Sequence, residues 1–278
     1  FDLKHLFIGT EGTLGVVSRV VMKLTAEPRS HNVALLAAQS YPAVVEMLSR
    51  ARGLLGASLC GFEVMWRSFY AKATQPDGPQ PSPIDADHPF YIVLEAMGSQ
   101  PEADTQAFEA VMLGFIEGGL AVDGTIANSD RERAGIWAIR HEVEWLVRDA
   151  FNFDVSLRVA DAADYIDALE KRVTADFPQA YVAAFGHLGD NNVHISILAD
   201  DERRIQSHVY EALRPFEGAI SAEHGIGLEK REWLPVSRSD DEISLMATLK
   251  RTFDPRGILN PGKVVPARRE YRSPANLT

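Results

Sequence analysis

The sequence predicts a sheet covered by helices. Three observations lead there: short apolar, β-branched runs recur along the chain, amphipathic helical patterns alternate with them, and no βα turn carries the glycine fingerprint of a dinucleotide-binding crossover. The rhythm fits an antiparallel sheet as well as a parallel one.

Taken in order, residues 5–23 read as strand, tight turn and strand: an apolar stretch, the turn Gly9-Thr10-Glu11-Gly12-Thr13-Leu14-Gly15, then the β-branched run 16–21. From Asn32 the pattern becomes modular, with a strand at 33–38, a helix at 42–55, a strand at 59–65 and a helix to about 73. Residues 75–88 hold four prolines and no helical period, which predicts an exposed loop or connector. A strand at 90–97, a helix at 102–117 and a strand at 120–126 follow, then a long helix at 129–150 that enters through Ser129 with acidic residues in its first turns. The remainder reads as a strand at 153–159, a helix at 162–175, strands at 180–186 and 193–198, a helix at 202–215, a strand at 218–222 and a helix at 240–252. The last ten residues read as a polar tail.

A chain of 278 residues, 46% hydrophobic and 24% charged, can bury a large core as one or two domains. Twenty-eight basic against thirty-nine acidic residues leave a formal net charge of −11, which repels phosphate backbones and excludes nucleic acid as the expected partner. Cys60 is the only cysteine, so an internal disulfide and a cysteine-rich metal site are both ruled out, and a reducing, cytoplasmic setting is expected. No apolar run approaches the roughly 20 residues that span a bilayer, so a soluble chain is expected, with membrane association only through a partner. The chain opens at Phe1 in what reads as mid-domain sequence, and further sequence is expected before it.

Chemistry concentrates in Phe185-Gly186-His187-Leu188-Gly189-Asp190-Asn191-Asn192-Val193-His194. The two histidines are seven residues apart, an odd separation that would put them on opposite faces of one strand. A reversal at 189–192 would instead set them on neighbouring strands, aimed at one point. Glu223-His224-Gly225-Ile226-Gly227 offers a third ligand, carboxylate or imidazole, and two imidazoles with a carboxylate suit zinc, iron or manganese with a position left open. Spacing alone also allows two ordinary structural histidines. The turn at 9–15 has two readings as well, a plain hairpin or bare amides that approach a pyrophosphate or ribityl chain. Arg140 falls beside the helical stripe of Ile136, Ile139, Val143, Leu146 and Val147, where it could hold a carboxylate bidentately or form a surface ion pair. Lys230, Lys263 and the acidic residues of 101–104 read as solvated charges.

Four segments together, HLFIGTEGTLGVVSRV at 5–20, FNFDVSL at 151–157, GHLGDNNVHISI at 186–197 with SAEHGIGLEKREWL at 221–234, and FDPRGILNPGKVVP at 253–266, resemble the C-terminal portion of the FAD-linked oxidase family of the vanillyl-alcohol oxidase superfamily. That group includes D-lactate and D-2-hydroxyglutarate dehydrogenases and the flavin subunit of glycolate oxidase. The resemblance implies an α+β fold, with a ferredoxin-like antiparallel sheet covered by helices in a substrate, or cap, domain at 28–245. It also implies that 1–27 is the end of an FAD-binding domain and that 246–278 returns to that domain. Thr10, Glu11, Gly12, Thr13, Gly15, Val16 and Asn260 would then lie against FAD. Because most flavin contacts in the family precede this region, the chain by itself is expected to bind FAD weakly or not at all.

The same resemblance implies a dehydrogenase that oxidises a D-2-hydroxy acid to the 2-oxo acid by hydride transfer to flavin N5. The residues matching His187, His194 and Glu223 would ligate a divalent ion, zinc foremost, with iron or manganese as alternatives. The residue matching His224 would be the base, a task suited to an imidazole. Arg140, Asn152 and Ser196 match substrate-binding positions. Around the distal part of the substrate, the hydroxyglutarate enzymes carry threonine, lysine and asparagine where this chain has Glu144, Asn152 and Ser196, so a D-2-hydroxy acid other than 2-hydroxyglutarate is expected. An electron-transfer flavoprotein, a quinone or a cytochrome would accept the electrons, and a homodimer is a further expectation. Two other readings of the histidine–glutamate set stand beside this one: a zinc hydrolase that activates water, and a non-catalytic binding module.

Overall fold

A computed structural model describes residues 2–75 and 80–265. Its centre is a seven-stranded sheet in the order β4-β1-β3-β2-β6-β7-β5, antiparallel at every pairing. The first module is β1 (Ser30–Ala38), α1 (Tyr41–Leu55), β2 (Leu59–Trp66), α2 (Arg67–Ala73), β3 (Phe90–Gly98), α3 (Pro101–Glu117) and β4 (Asp123–Ile126). Its order β4-β1-β3-β2 is the split βαββαβ arrangement expected of a ferredoxin-like unit. The second module repeats the device. β5 (Phe151–Ser156), α6 (Ala162–Asp176), β6 (Tyr181–His187) and β7 (Asn192–Leu198) place β7 between β5 and β6, and α7 (Glu202–Glu211) and α8 (Asp240–Phe253) complete the chain.

Strand parity divides the core. Val64, Ile92, Leu94, Val155, Val193, Ile195 and Ile197 point to one face, where Phe108, Phe115, Tyr165 and Val209 from α3, α6 and α7 cover them. Leu35, Met65, Tyr91 and Val93 point to the other, under Phe69 and Tyr70 of α2 and Ile136 and Ile139 of α4 (Asp130–Arg140). Among the described residues, no helix is long and apolar enough to cross a membrane.

The structure departs from the sequence reading in four places. The helix expected over 129–150 breaks at His141–Val143 into α4 and α5 (Glu144–Asp149). Ile139 and Leu146 stay buried across the break, so the apolar stripe conceals it, while the side chain of Val147 lies outside the described residues. The turn brings α5 back to β5, where Asn152 Nδ2 donates to the Leu146 carbonyl. Residues 5–8 fall in a 3-10 turn (Leu3–Leu6) and the bend after it, and 15–28 pair with no strand among the described residues, leaving Val16, Val17, Val20 and Val21 exposed. A β-branched run forms a strand only where a ladder is offered. The strand expected at 218–222 is a single bridge, Ala219 to Ser156, and the long loop at 75–88 is described only outside 76–79. The tail after Val265 lies outside the described residues.

The first and last stretches of the described residues meet. Phe7 packs edge-on against Phe253 at 5.4 Å, Lys250 Nζ donates to the Thr13 carbonyl at 2.9 Å, and Asn260 Nδ2 donates to the Glu11 carbonyl.

Candidate active site

The hairpin β6–β7 settles the parity question. The chain turns through Leu188–Asp190 and a left-handed Asn191 at φ 67°, pairing Phe185 with His194. His187 therefore shares its face with His194 despite the odd spacing, and their ring centroids stand 5.2 Å apart. The two backbones close so tightly at the turn that a side chain on Gly186 would run into the backbone of Asn192. Glu223 reaches the same point from the loop after Ala219, with Oε1 3.3 Å from His194 Nε2 and 4.0 Å from His187 Nε2. One ligand atom from each of His187, His194 and Glu223 lies within 4.8 Å of the others.

Two buried carboxylates that the sequence reading did not single out hold this ring in place. Glu63, 4% exposed, sits on β2 directly opposite His187. Its Oε1 is 2.8 Å from His187 Nδ1, and its Oε2 accepts from Arg140 Nε at 2.9 Å. Asp154, 1% exposed, pairs with His194 across β5 and β7. Its Oδ2 accepts from the amides of Ala222, Glu223 and His224 at 2.8 to 3.1 Å, and its Oδ1 is bonded by Lys230. Lys230 is thus a half-buried partner of Asp154, correcting the solvated reading: a carboxylate this deep costs several kcal/mol unless paired. Sequence carried a faint signal for both carboxylates, a lone acid inside an apolar strand, in GFEVMW and FNFDVS.

These surroundings set the charge states. Burial, with Arg140, His187 and His224 nearby, pushes the His194 imidazolium down to about 3, so this ring is neutral with a lone pair to offer. The hydrogen bond to Glu63 raises the His187 pKa against the effect of burial. Burial would lift the Asp154 carboxyl, yet Lys230 and the amides of Glu223 and His224 hold it below the usual range. Burial lowers Arg140, and Glu63 opposes that.

His224 is largely open to solvent, its Nδ1 3.4 Å from Asp154 Oδ1 and its Nε2 3.4 Å from Glu223 Oε1. Arg140 is 5% exposed, in an ion pair that is buried rather than superficial, with its guanidinium carbon 4.5 Å from the Phe185 ring centre. Phe185 in turn lies 5.1 Å from the His194 ring, so Arg140 borders the cluster. Asn152 and Ser196 face each other across β5 and β7, and Ser196 Oγ donates to Asn152 Oδ1 at 2.6 Å. Glu144 is exposed in the first turn of α5.

The turn at 9–15 is joined to this cluster. The Glu11 carboxylate accepts from the amides of Ile226 and Gly227 at 2.7 and 2.8 Å, and Gly225, at φ 80°, has no room for a side chain beside Glu11. Thr10 donates to the Phe7 carbonyl just before the turn and Thr13 to the Thr10 carbonyl within it, Gly12 packs on the Asn260 amide, Gly15 lies near Phe7, and Val16 is exposed. A cleft of about 350 Å³ lined by Arg52, Cys60, Glu63, His187 and Asp190 opens beside the ring. A larger groove of about 750 Å³ lies at the opposite sheet edge, between α3 and β4, away from this chemistry.

The described fold and site define a class, a helix-covered antiparallel sheet with a histidine–glutamate cluster on one face. The chain belongs to the family of FAD linked oxidases, C-terminal domain, whose model matches residues 27–264. It is 37% identical over 276 residues to a probable mitochondrial D-2-hydroxyglutarate dehydrogenase of Oryza sativa subsp. japonica, covering 96% of this chain and 49% of that protein. It is 34% identical over 281 residues to a putative mitochondrial D-lactate dehydrogenase of Schizosaccharomyces pombe, covering 95% and 53%. Its fold resembles solved alkyldihydroxyacetonephosphate synthase, with a TM-score of 0.64 at 17% identity over 94% of this chain and 49% of that one. The chain spans about half the length of the curated relatives it matches.

The expected cytoplasmic location is corrected by these relatives, both of which are named as mitochondrial proteins. A single cysteine speaks to redox state and cannot distinguish one reducing compartment from another.

Proposed function

We propose that this chain is the substrate-binding half of an FAD-dependent dehydrogenase that oxidises a D-2-hydroxy acid to the 2-oxo acid, with a divalent ion at His187, His194 and Glu223 and His224 as the base. The observation that carries the reading is the convergence of these three ligands beside Arg140. The donor set fits the ion. Ligands about 2.1 Å from a tetrahedral zinc stand roughly 3.4 Å apart, close to the 3.3 Å between His194 and Glu223. The position expected for the flavin also fits, since the 9–15 turn is bonded to the loop carrying Glu223 and His224. When bound, the ion would supply a Lewis acid and the flavin a two-electron acceptor.

The protein's own residues do the remaining work. Arg140 presents its guanidinium fork to the substrate carboxylate, the two Nη nitrogens having no hydrogen-bond partner among the described residues. His224, open to the site and flanked by Asp154, takes the proton of the substrate hydroxyl. Asn152 and Ser196 satisfy each other, and Asn152 Nδ2 is further committed to the Leu146 and Ala150 carbonyls, so this pair offers no cation to a second carboxylate. That supports a substrate other than 2-hydroxyglutarate. Electrons must leave the flavin before the next turnover, which calls for an external acceptor of the electron-transfer flavoprotein, quinone or cytochrome type; a homodimer completes the proposal.

The test is anaerobic mixing of the whole flavoprotein with paired D- and L-2-hydroxy acids while flavin absorbance is followed. Bleaching by D-lactate-type acids, slower with D-2-hydroxyglutarate, absent with L enantiomers and slowed about 100-fold or more in His224→Gln, is expected. A metal-replete enzyme whose flavin no D-2-hydroxy acid reduces would refute the reading.

A further inference from the structure

We infer that Glu63 is a positioning residue that locks the carboxylate-binding arginine and the metal-binding histidine into one unit. The inference rests on the proposal above that His187, His194 and Glu223 hold a divalent ion.

The geometry is specific. A carboxylate has only acceptors, so both of its oxygens here are turned toward donors: Oε1 toward His187 Nδ1 at 2.8 Å and Oε2 toward Arg140 Nε at 2.9 Å. Taking the proton on Nδ1 fixes the His187 tautomer and leaves the Nε2 lone pair facing Glu223, 4.0 Å away. Accepting Nε–H from Arg140, whose guanidinium carbon lies over the Phe185 ring, leaves the Nη fork as the part free to grip a carboxylate. Register makes this arrangement possible. β6 ends at His187, and Glu63 is the β2 residue directly opposite that end. One strand residue therefore sets the orientation of a ligand on β6 and of a cation at the last turn of α4.

Glu63→Gln tests it. The amide keeps the size of the side chain but has one acceptor oxygen and an NH2, so it can serve only one of the two donors and opposes the other. Zinc is titrated into the full 278-residue chain, wild type and variant, in competition with a chromophoric chelator. Wild type is expected to bind one zinc, and the variant to bind it about 10- to 100-fold more weakly. Equal affinities with an unchanged melting temperature would overturn the role of Glu63 alone. Absence of zinc binding by the wild-type chain would overturn the metal reading, and this inference with it. A measurement that needs no variant guards against a misfolded one: imidazole nitrogen–proton correlation spectra of the zinc-loaded wild type should show His187 protonated at Nδ1 and unprotonated at Nε2. The opposite tautomer would overturn the inference.

Discussion

The sheet face that looks toward α2 and α4 changes character along its width. On β1 and β3 it presents Val33, Leu35, Ala37, Tyr91 and Val93, all wholly buried in a dry core. On β2, β6, β7 and β5 the positions of the same parity include Glu63, His187, His194, Ser196, Asn152 and Asp154 beside the apolar Met65 and Phe185. One backbone architecture thus carries a packing surface at one end and a polar, histidine-bearing surface at the other. A buried polar group is tolerable only when bonded, so the polar half separates into closed hubs and an open ring. Glu63 and Asp154 are saturated by protein donors, whereas the side chains of His187, Glu223 and His224 keep substantial exposure.

The sharpest way to break this contrast is Asp154→Ala. It strips the partner from Lys230 and from three consecutive amides of the loop holding Glu223 and His224. A loss of about 3–5 kcal/mol in urea unfolding is expected, as for one partner removed from a buried pair, together with loss of zinc binding. The dry half should respond differently. Leu35→Ala removes a wholly buried side chain from β1 and should cost about 3 kcal/mol of stability through transfer and cavity terms while zinc affinity stays at the wild-type value. If Leu35→Ala also abolished zinc binding, the two halves would not be the separable surfaces described here.

The same division explains what was legible in the sequence. The dry half is repetitive, and the period of its apolar residues marks α1, β3 and α3 to within a residue and β1 to within three. The open ring was legible because its residues are chemically conspicuous and a reversal between His187 and His194 offers one way for their odd spacing to bring them together. The closed hubs were not. Glu63 finds its partners 77 and 124 positions away, Asp154 finds Lys230 76 positions away, and no local pattern encodes such pairings. The break between α4 and α5 was hidden because both pieces bury the same stripe, and the run at 16–21 reads as a strand although nothing described here pairs with it.

Ser196→Ala probes the boundary between hub and ring, and its effect should be the smallest. Ser196 is 2% exposed and donates its hydroxyl to Asn152 Oδ1, so the variant leaves that oxygen with one bond fewer. Asn152 keeps its own donors on the Leu146 and Ala150 carbonyls, which limits the stability loss to about 1 kcal/mol, readable by thermal or urea unfolding. Zinc affinity should not change, because neither side chain touches the ring. In the whole enzyme the consequence belongs to the substrate: if the pair shapes the tail pocket, KM for longer D-2-hydroxy acids shifts while that for D-lactate holds. A uniform change in kcat across the series would instead place Ser196 with the reacting atoms and move the boundary one residue further along β7.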